Sequence, residues 1–232
     1  LLVLQRLPDH LLSLPLPLQR TLSILLFLLI ALPIYFINHQ ISISLVIATI
    51  IITSLALISV TAGYHRFYSH KAYKLNKFIE PFFLFFATTA LQGSALGWST
   101  THRKHHRFTD QEGDPHNIKK GFWHAHFLWF FHDKQEVDEK YIPDLIKNKI
   151  LILQDKYINL LYIITNTLIF LSIGWLLNDF IGAFIIAVFT RIFIVHHLTW
   201  FINSLAHTWG ARTFSHEQSA VDNYVLAFLT FG

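Results

Sequence analysis

The sequence predicts an all-α integral membrane protein, with four transmembrane helices in two hairpins and a helical cap on the cytoplasmic side. Hydrophobic residues make up 53% of the 232 residues and charged residues only 14%, whereas soluble domains carry about 25% charged residues. The apolar residues fall into two long blocks, and nearly all lysines and arginines lie outside them. Because the chain begins without Met and ends at "LTFG", we expect 1–232 to be a single membrane domain and a fragment of a longer protein.

The first apolar block contains no Asp, Glu, Lys or Arg from Thr21 to His65. A helix needs about 20 residues to cross the hydrocarbon core, so this block is long enough for two crossings. It is divided by the polar cluster "NHQ" at residues 38–40. The sequence therefore predicts spans at about 21–37 and 42–62, joined by a short outer turn.

The second apolar block is interrupted at Asn178 and Asp179, which predicts two further spans at about 158–177 and 180–201. Arg191 lies inside the last of these spans. A charged side chain is costly within the hydrocarbon core. We therefore expect Arg191 to face the interior of the helix bundle or a polar cavity.

Residues 63–157 lie between the two hairpins and form a polar block that contains one apolar stretch, 81–101. If that stretch crossed the membrane, the histidine clusters on its two sides would face opposite compartments. If it lies in the membrane interface instead, every lysine and arginine except Arg191 falls on one side of the membrane. Basic residues are enriched on the cytoplasmic side, so we expect a multi-pass protein whose cap and histidines face the cytoplasm.

Two histidine clusters belong to this cap. "THRKHHRF" contains His102, His105 and His106, and because positions i, i+3 and i+4 share one face of a helix, we expect these three rings to converge. "GYHRFYSH" contains His65 and His70, which would diverge by about 140° on a straight α-helix. We expect that pair to straddle two metal ions or to lie at a fraying helix end.

Further donors lie at the end of the fourth span and after the second cluster. "FINSLAHTWG" places Asn203 and His207 at the same membrane face as the clusters. In "GDPHN", we expect Asp114 and His116 to be the hydrogen-bond partners that orient ligand histidines. His126 is ambiguous. The remaining histidines are assigned structural roles: His10, His39, His124, His132, His196, His197 and His216.

The number and type of these side chains favour a site for two metal ions. Six or more histidines exceed the four ligands of one tetrahedral site, and imidazole suits zinc, copper, iron or nickel. The absence of Cys excludes thiolate ligands and disulfides. At a membrane face that soluble redox partners can reach, two histidine-bound metals suggest iron and dioxygen, although the spacing alone leaves the metal open.

Other chemistries find little support. Motifs of nucleotide-binding proteins, serine hydrolases and zinc proteases are absent, as is the Glu-x-x-His pair of carboxylate-bridged di-iron bundles. The net charge of +4 is too small to indicate a nucleic-acid partner. "HRKHHR" could instead be a basic patch for lipid phosphates, which explains Arg103, Lys104 and Arg107 but not the histidine spacing.

Taken together, the motifs resemble those of membrane fatty acyl desaturases. "GYHRFYSHKAYK" resembles their H-x4-H box, "HRKHHRFTDQEGDPHNIKKGFW" their H-x-x-H-H box with the D-P-H-N that follows, and "FINSLAHTWG" the N-S-x-A-H segment that ends their fourth transmembrane helix. The resemblance covers roughly residues 20–232, with the boxes in the same order and spacing. It is most similar to bacterial members of the stearoyl-CoA (delta-9) desaturase type.

The resemblance implies an oxygen-dependent di-iron enzyme that introduces a cis double bond, delta-9 in position, into a saturated acyl thioester. It implies O2 as co-substrate and electrons from ferredoxin, rubredoxin or a cytochrome b5 with its reductase. The two iron ions would be held by these residues: His65, His70, His102, His105, His106 and His207, with Asn203 acting through a water.

The resemblance also implies where the substrate binds. Lys119 and Lys120 match a position that contacts CoA phosphates, and Trp98 matches an aromatic residue beside the substrate channel. Animal relatives often have W-x-R-D-H before the second box, whereas "WSTTH" has Thr100 in place of the arginine. Long-chain acyl-CoA is therefore the first expectation for the substrate, with acyl carrier protein or a membrane lipid as the alternative carrier.

The family's third histidine box, in an E-G-x-H-N-x-H-H context, would begin where this chain stops. Without it we expect weak metal binding or none, and no turnover. The main alternative activity is that of a membrane di-iron hydroxylase or alkane monooxygenase, which would yield an alcohol instead of an alkene. A metal transporter is disfavoured because only Arg191 lies near the middle of a span, and a lipid-binding scaffold would not need the histidines.

Overall fold

The computed structural model describes residues 29–132, 136–213 and 218–232, and these ranges are built from helices. Within them the only β-type pairing is one isolated bridge between Ala211 and Asp222. The predicted all-helical class is therefore confirmed for the described part of the chain.

The helices are numbered here in chain order. They are α1 (Leu29–Asn38), α2 (Ile43–Ser69), α3 (Glu80–Thr89), α4 (Ala95–Phe108), α5 (His124–Leu128 and Trp129–His132), α6 (Lys149–Lys156), α7 (Ile158–Leu177), α8 (Phe180–His207) and α9 (Tyr224–Thr230). Single 3₁₀ turns lie at Ile118–Lys120 and Leu145–Lys147.

Three helices, α2, α7 and α8, are long and apolar enough to cross a membrane. The bounds of α7 coincide with the predicted span, whereas α2 and α8 continue past their predicted ends to Ser69 and His207. Both histidine-bearing ends therefore lie on direct extensions of candidate spans. The first predicted span, 21–37, overlaps α1 and otherwise falls outside the described residues, so the four-span, two-hairpin arrangement stays a prediction.

The apolar stretch 81–101 does not form one helix. It is divided between α3 and α4 by a turn in which Leu91 (φ 57°) and Gly93 (φ 95°) adopt left-handed conformations. Ser94 then starts α4, because its Oγ accepts a hydrogen bond from the Gly97 N–H at 3.0 Å. Neither helix is long enough to cross the hydrocarbon core. An interfacial location remains the prediction for this stretch.

Two apolar cores support the fold. One lies among α1, α2, α7 and α8 and includes Leu45, Ile169 and Ile186. The other joins α2 to the cap helices α3, α4 and α6 and includes Tyr64 and Leu96. The histidine-bearing elements pack directly on this second core.

Gln154, on α6, ties the cap core together. Its side chain is buried, and its Nε2 donates to Tyr64 Oη at 2.7 Å and Thr88 Oγ1 at 2.9 Å. Its Oε1 accepts from the backbone N–H of Ala95 at 3.0 Å. One side chain thereby links α2, α3 and the start of α4.

Arg191 faces the interior of the bundle, as expected, and is 0% exposed. Its Nε donates to Ala187 O at 2.9 Å and its Nη1 to Thr89 O at 3.1 Å. Its Nη2 donates to the side-chain oxygen of Asn166 on α7. The cost of a buried charge is thus reduced by neutral acceptors from three helices.

Replacing Asn166 with Leu should destabilise the bundle, because the buried guanidinium would lose one acceptor. Hydrogen bonds to charged groups contribute about 1.5–3 kcal/mol, and we expect a loss of that order, measured by thermal denaturation in detergent. The matched control is Thr167→Leu at the neighbouring exposed position. Equal melting temperatures for the two variants would contradict this role of Asn166.

Candidate metal centre

The last part of α2, Ser59–Ser69, is wound as a π-helix. The hydrogen bond that closes it runs from the N–H of His70 to the carbonyl of His65, five residues earlier, at 3.0 Å. Residues five apart are then about one turn apart, and the two Nε2 atoms lie 3.0 Å from each other. The pair therefore does not lie on a straight α-helix, and the 140° divergence expected for one does not apply; it lies at the end of α2.

His65, His70, His102 and His106 form the first histidine group, in which one ring nitrogen from each lies within 4.8 Å of the others. The Nε2 of His70 lies 2.8 Å from that of His102 as well as 3.0 Å from that of His65. A ring nitrogen offers either one proton or one lone pair, so it cannot make two good hydrogen bonds at once. Such convergence is typical of ligands that surround a shared cation.

His105 does not converge with His102 and His106, so the expectation for these three rings was wrong in part. It forms the second group with Asp114 and His116, all three of them buried. The ring of His116 lies 4.2 Å from that of His105, between centroids. His116 was expected only to orient a ligand, but it belongs to a group that could hold a metal itself.

The carboxylate of Asp114 fixes the orientation of His105. It accepts from His105 Nδ1 at 2.8 Å and from the backbone N–H groups of Asp110 and His116 at 3.0 and 3.2 Å. Because a carboxylate accepts here, Nδ1 of His105 carries the proton and Nε2 keeps its lone pair. Carboxylate–histidine pairs of this kind orient metal-binding imidazoles.

His207 extends the second group, with its ring centroid 5.5 Å from that of His105. Its Nδ1 lies 2.7 Å from Ser219 Oγ, and that hydroxyl donates to Asp110 Oδ1 at 2.7 Å. Since the hydroxyl proton is already engaged, Ser219 accepts from His207 Nδ1–H. The Nε2 of His207 therefore carries the lone pair, which can bind a metal.

Three histidines of the cap, His102, His106 and His116, are held in the neutral form that binds metals. Burial, with neighbouring imidazoles, holds the pKa of His102 well below its usual value and lowers that of His106 to about 4. Burial likewise holds the pKa of His116 well below normal. The buried Nδ1 of His116 has no hydrogen-bond partner among the described residues. A buried polar atom without a partner needs an explanation, and a bound metal would supply one.

These donors fit metal binding in chemistry as well as position. The two groups adjoin through His105 and His106, whose ring centroids are 5.5 Å apart. Imidazole nitrogens suit zinc, copper, iron or nickel. Two adjacent groups could hold two such ions side by side.

A cavity of about 60 Å³ lies against the site. Trp98 lines it and stacks on His102, with centroids 4.8 Å apart and ring planes 23° apart. His116 and Asn203 also line it. A cavity of this size holds a few water molecules, so the contact predicted from Asn203 to a metal through water has room to form.

The two lysines predicted to contact phosphate follow the second group in the sequence. Lys119 and Lys120 are exposed in the 3₁₀ turn that follows His116. Thr100, in contrast, is 3% exposed and accepts a hydrogen bond from the Asp138 N–H at 3.4 Å. It therefore cannot stand in for a phosphate-binding arginine.

Arg103 is occupied within the protein, which argues against its use as a lipid-phosphate contact. It donates to the carbonyls of Tyr68 at 2.7 Å, Ser69 at 2.9 Å and Tyr141 at 2.9 Å. It also forms a two-pronged ion pair with Asp144 at 2.6 and 3.0 Å. The alternative reading of "HRKHHR" as a basic surface patch fails at this residue.

The ambiguous His126 belongs to a separate hydrogen-bonded chain. Ser204 Oγ donates to the carbonyl of Trp200 and accepts from His126 Nδ1, each at 3.0 Å. The Nε2 of His126 then accepts from His197 Nδ1 at 3.1 Å. This series of hydrogen bonds connects α5 to α8 and supports a structural role for His126 and His197.

Of the other histidines assigned structural roles, some lie within the described residues and some outside them. His196 contacts its own helix through Nδ1, which lies 2.9 Å from the carbonyl of Ile192, and His39 stacks on Tyr35. The side chain of His124 is partly buried. His10, His216 and the side chain of His132 lie outside the described residues.

Fold and site together define a class: a helical protein with membrane-spanning candidates, whose cap carries two adjoining histidine groups suited to metals. Residues 19–232 match the family model described as "Fatty acid desaturase", and the chain belongs to that family. Membership of a membrane desaturase family and three candidate spans both fit an integral membrane protein.

Curated relatives agree with this family. The chain is 35% identical over 181 residues to "Acyl-CoA desaturase 1" of Saccharomyces cerevisiae, covering 75% of this chain and 35% of that protein. It is 36% identical over 179 residues to "Probable acyl-CoA desaturase" of Schizosaccharomyces pombe, covering 75% and 37%. It is 35% identical over 181 residues to "sn-2 palmitoyl-lipid 9-desaturase" of a Nostoc species, covering 75% and 61%. The match thus spans about a third of the yeast proteins' length.

Replacing Asp114 with Asn should weaken metal binding, because His105 would lose the charged partner that orients it. Loss of such a partner typically reduces metal affinity 10–100-fold, and we expect a change in that range in cobalt(II) titrations of the full-length protein in detergent. Asp138→Asn is the matched control, since Asp138 pairs with Lys140 at the surface. Equal affinities in the two variants would remove Asp114 from the site.

Proposed function

We propose that this chain forms the metal-binding core of an oxygen-dependent fatty acyl desaturase that introduces a cis double bond, delta-9 in position, into a saturated long-chain acyl group. The observation that carries the proposal is the pair of adjoining histidine groups, next to which the extended ends of two candidate spans place His65 and His207. Family membership supports it, as do the desaturase activities that the relatives' names state.

The metal is assigned as two iron ions, which the imidazole donors accommodate. When bound, they would supply the dioxygen chemistry that is needed to break two unactivated carbon–hydrogen bonds. In the overall reaction a –CH2–CH2– unit loses two hydrogens to become –CH=CH–. O2 takes up those hydrogens, with two electrons and two further protons, and is reduced to two waters.

The chain's own residues hold and orient the donors. The ligands of the proposal are His65, His70, His102, His105, His106 and His207, with Asn203 acting through water. Asp114 and Ser219 keep protons on Nδ1 of His105 and His207, which leaves the lone pair of each imidazole on Nε2, the atom that would bind a metal. His116 adds a further nitrogen to the second group.

The cavity beside His102 is proposed to hold the reacting segment of the acyl chain. Trp98 forms one wall, and Gln92 donates from Nε2 to Thr199 Oγ1 at 2.7 Å across another. A fixed, apolar position for a methylene pair is the protein's main contribution to rate and regiochemistry.

The acyl carrier is proposed to meet Lys119 and Lys120, which are exposed and follow the second group in the sequence. Acyl-CoA, acyl carrier protein and phospholipid all bear phosphate, so this basic pair serves any of the three. Acyl-CoA is the carrier named in the two yeast relatives, and a lipid is named in the Nostoc relative.

Electrons are proposed to arrive from a soluble or membrane-tethered donor at the cytoplasmic face: ferredoxin, rubredoxin, or cytochrome b5 with its reductase. His70 and His106 are exposed, so the first group can be approached from solvent.

The test is expression of the full-length gene in a host that lacks its own desaturase, with total fatty acids analysed by gas chromatography and mass spectrometry. We expect a new cis-monoene, and its loss in His65→Ala and His106→Ala. His39→Ala is the control, because that exposed ring stacks on Tyr35 in α1, outside both histidine groups. A hydroxylated product would favour a hydroxylase. Retention of the alkene in His106→Ala would remove that residue from the site.

A further inference from the structure

An apolar groove of about 500 Å³ lies between α3, α6 and α7, separate from the cavity at the metal centre. Three helices contribute side chains at helical spacing: Leu84 and Phe85 from α3, Leu153 from α6, and Leu160, Leu161 and Thr165 from α7. Its volume lies within the range of about 300–1,000 Å³ that is usual for small-molecule sites. It extends about 12 Å along α7 from Tyr157 to Thr165.

The polar side chains on the floor of the groove already have hydrogen-bond partners within the protein. Gln154 and Thr88, which line it, bond to each other and to the cap core. Thr165 Oγ1 donates to the carbonyl of Leu161 at 2.8 Å. With these groups engaged internally, the surface presented to a guest is hydrocarbon, and burial of an apolar chain is the favourable way to cover it.

One end of the groove is basic. Lys149 precedes the lining residue Ile150, and Lys156 precedes Tyr157, with its Nζ 5.1 Å from the Tyr157 ring centroid. Both lysines are exposed. The one carboxylate of α6, Asp155, accepts a hydrogen bond from Ser94. The other nearby carboxylate, Glu80, accepts hydrogen bonds from Tyr68 Oη at 2.8 Å and Asn148 Nδ2 at 3.1 Å. Both carboxylates are thus engaged within the protein, whereas the two lysines are exposed at this end.

The polarity of the groove runs in the direction expected of a membrane amphiphile. The basic end lies where α7, a candidate span, begins at Ile158, and the apolar end continues into that span towards Thr165. Basic and aromatic side chains at the start of a span lie at the level of the lipid headgroups. Anionic headgroups attract lysines placed there.

We propose that this groove is a binding site for an anionic membrane phospholipid. One acyl chain lies between α3, α6 and α7, and the phosphate lies at Lys149, Lys156 and the hydroxyl of Tyr157. The site is distinct from the metal centre, because Tyr64 and Trp98, with ring centroids 6.2 Å apart, stand between Gln154 and His102. The bound lipid is accordingly a fixed component of the fold, and the proposal does not depend on desaturase activity.

The test uses the full-length protein in phosphatidylcholine vesicles that contain a trace of phosphatidylglycerol with a photoreactive group in one acyl chain. Phosphatidylcholine with the same photoreactive chain is the parallel probe. Adducts are mapped by mass spectrometry after irradiation. We expect them on peptides that contain Phe85, Leu153 and Leu160, with the anionic probe favoured by about fivefold for each lysine that contacts it.

Two sets of variants distinguish recognition of the lipid headgroup from binding of its acyl chain. The double variant Lys149→Gln, Lys156→Gln should abolish the preference for the anionic probe while groove labelling by both probes persists. Leu160→Trp should fill the groove and remove the labelling. Leu171→Trp, at a position equally exposed on the same helix (48% against 53% for Leu160), should leave it unchanged.

Two results would overturn the proposal. One is groove labelling no stronger than that around Leu171, which would show ordinary contact with bulk lipid. The other is photoreaction that joins two copies of the protein through α3, α6 or α7 in place of lipid adducts, which would assign the groove to a second copy. Thermal denaturation of each variant verifies that it is folded, since all the substituted side chains are exposed in the structure.

Discussion

The set of hydrogen bonds from Arg103 is the interaction on which the arrangement of the histidines depends. Arg103 follows His102 on α4, and its guanidinium donates hydrogen bonds to the carbonyls of Tyr68 and Ser69, at the end of α2. Those carbonyls would otherwise be unpaired, as at any helix C-terminus. One side chain thus fixes the segment that bears His70 against the segment that bears His102.

The charge of Arg103 is balanced within the cap. Burial would raise the pKa of the Asp144 carboxyl, but hydrogen bonds from Arg103 and Lys71 outweigh that effect and hold the pKa well below its usual range. Asp144 is therefore an anion at neutral pH. Because Asp144 holds Arg103 and also Lys71, the neighbour of His70, this ion pair stiffens both histidine boxes at once.

The second histidine group is positioned by carboxylates in the loop that follows α4. Asp114 orients His105, and Asp110 orients His207 through Ser219, a contact that joins residues 109 positions apart in the sequence. The two groups therefore have separate supports that meet at His105 and His106. Ligands whose orientation is fixed in advance lose less freedom when a metal binds.

Much of this could be predicted from the sequence, and the exceptions have physical reasons. The bounds of α7 were predictable because polar residues border its apolar run on both sides. The π-helical winding of α2 was not, because hydrophobic periodicity does not report a change in hydrogen-bond register; the H-x4-H spacing was the one available signal. The separation of His105 from His102 and His106 depends on where the Asp114 loop packs, a long-range contact that helical spacing cannot reveal. The role of Arg103 was likewise hidden, since its partners lie on other elements.

The central claim is that two histidine groups hold two irons side by side. The most direct test is to purify the full-length protein from iron-supplied cells, count iron per chain, and record X-ray absorption at the iron edge. We expect two irons per chain, with scattering from several imidazole rings at each. A single iron per chain, or spectra dominated by oxygen ligands, would contradict the account.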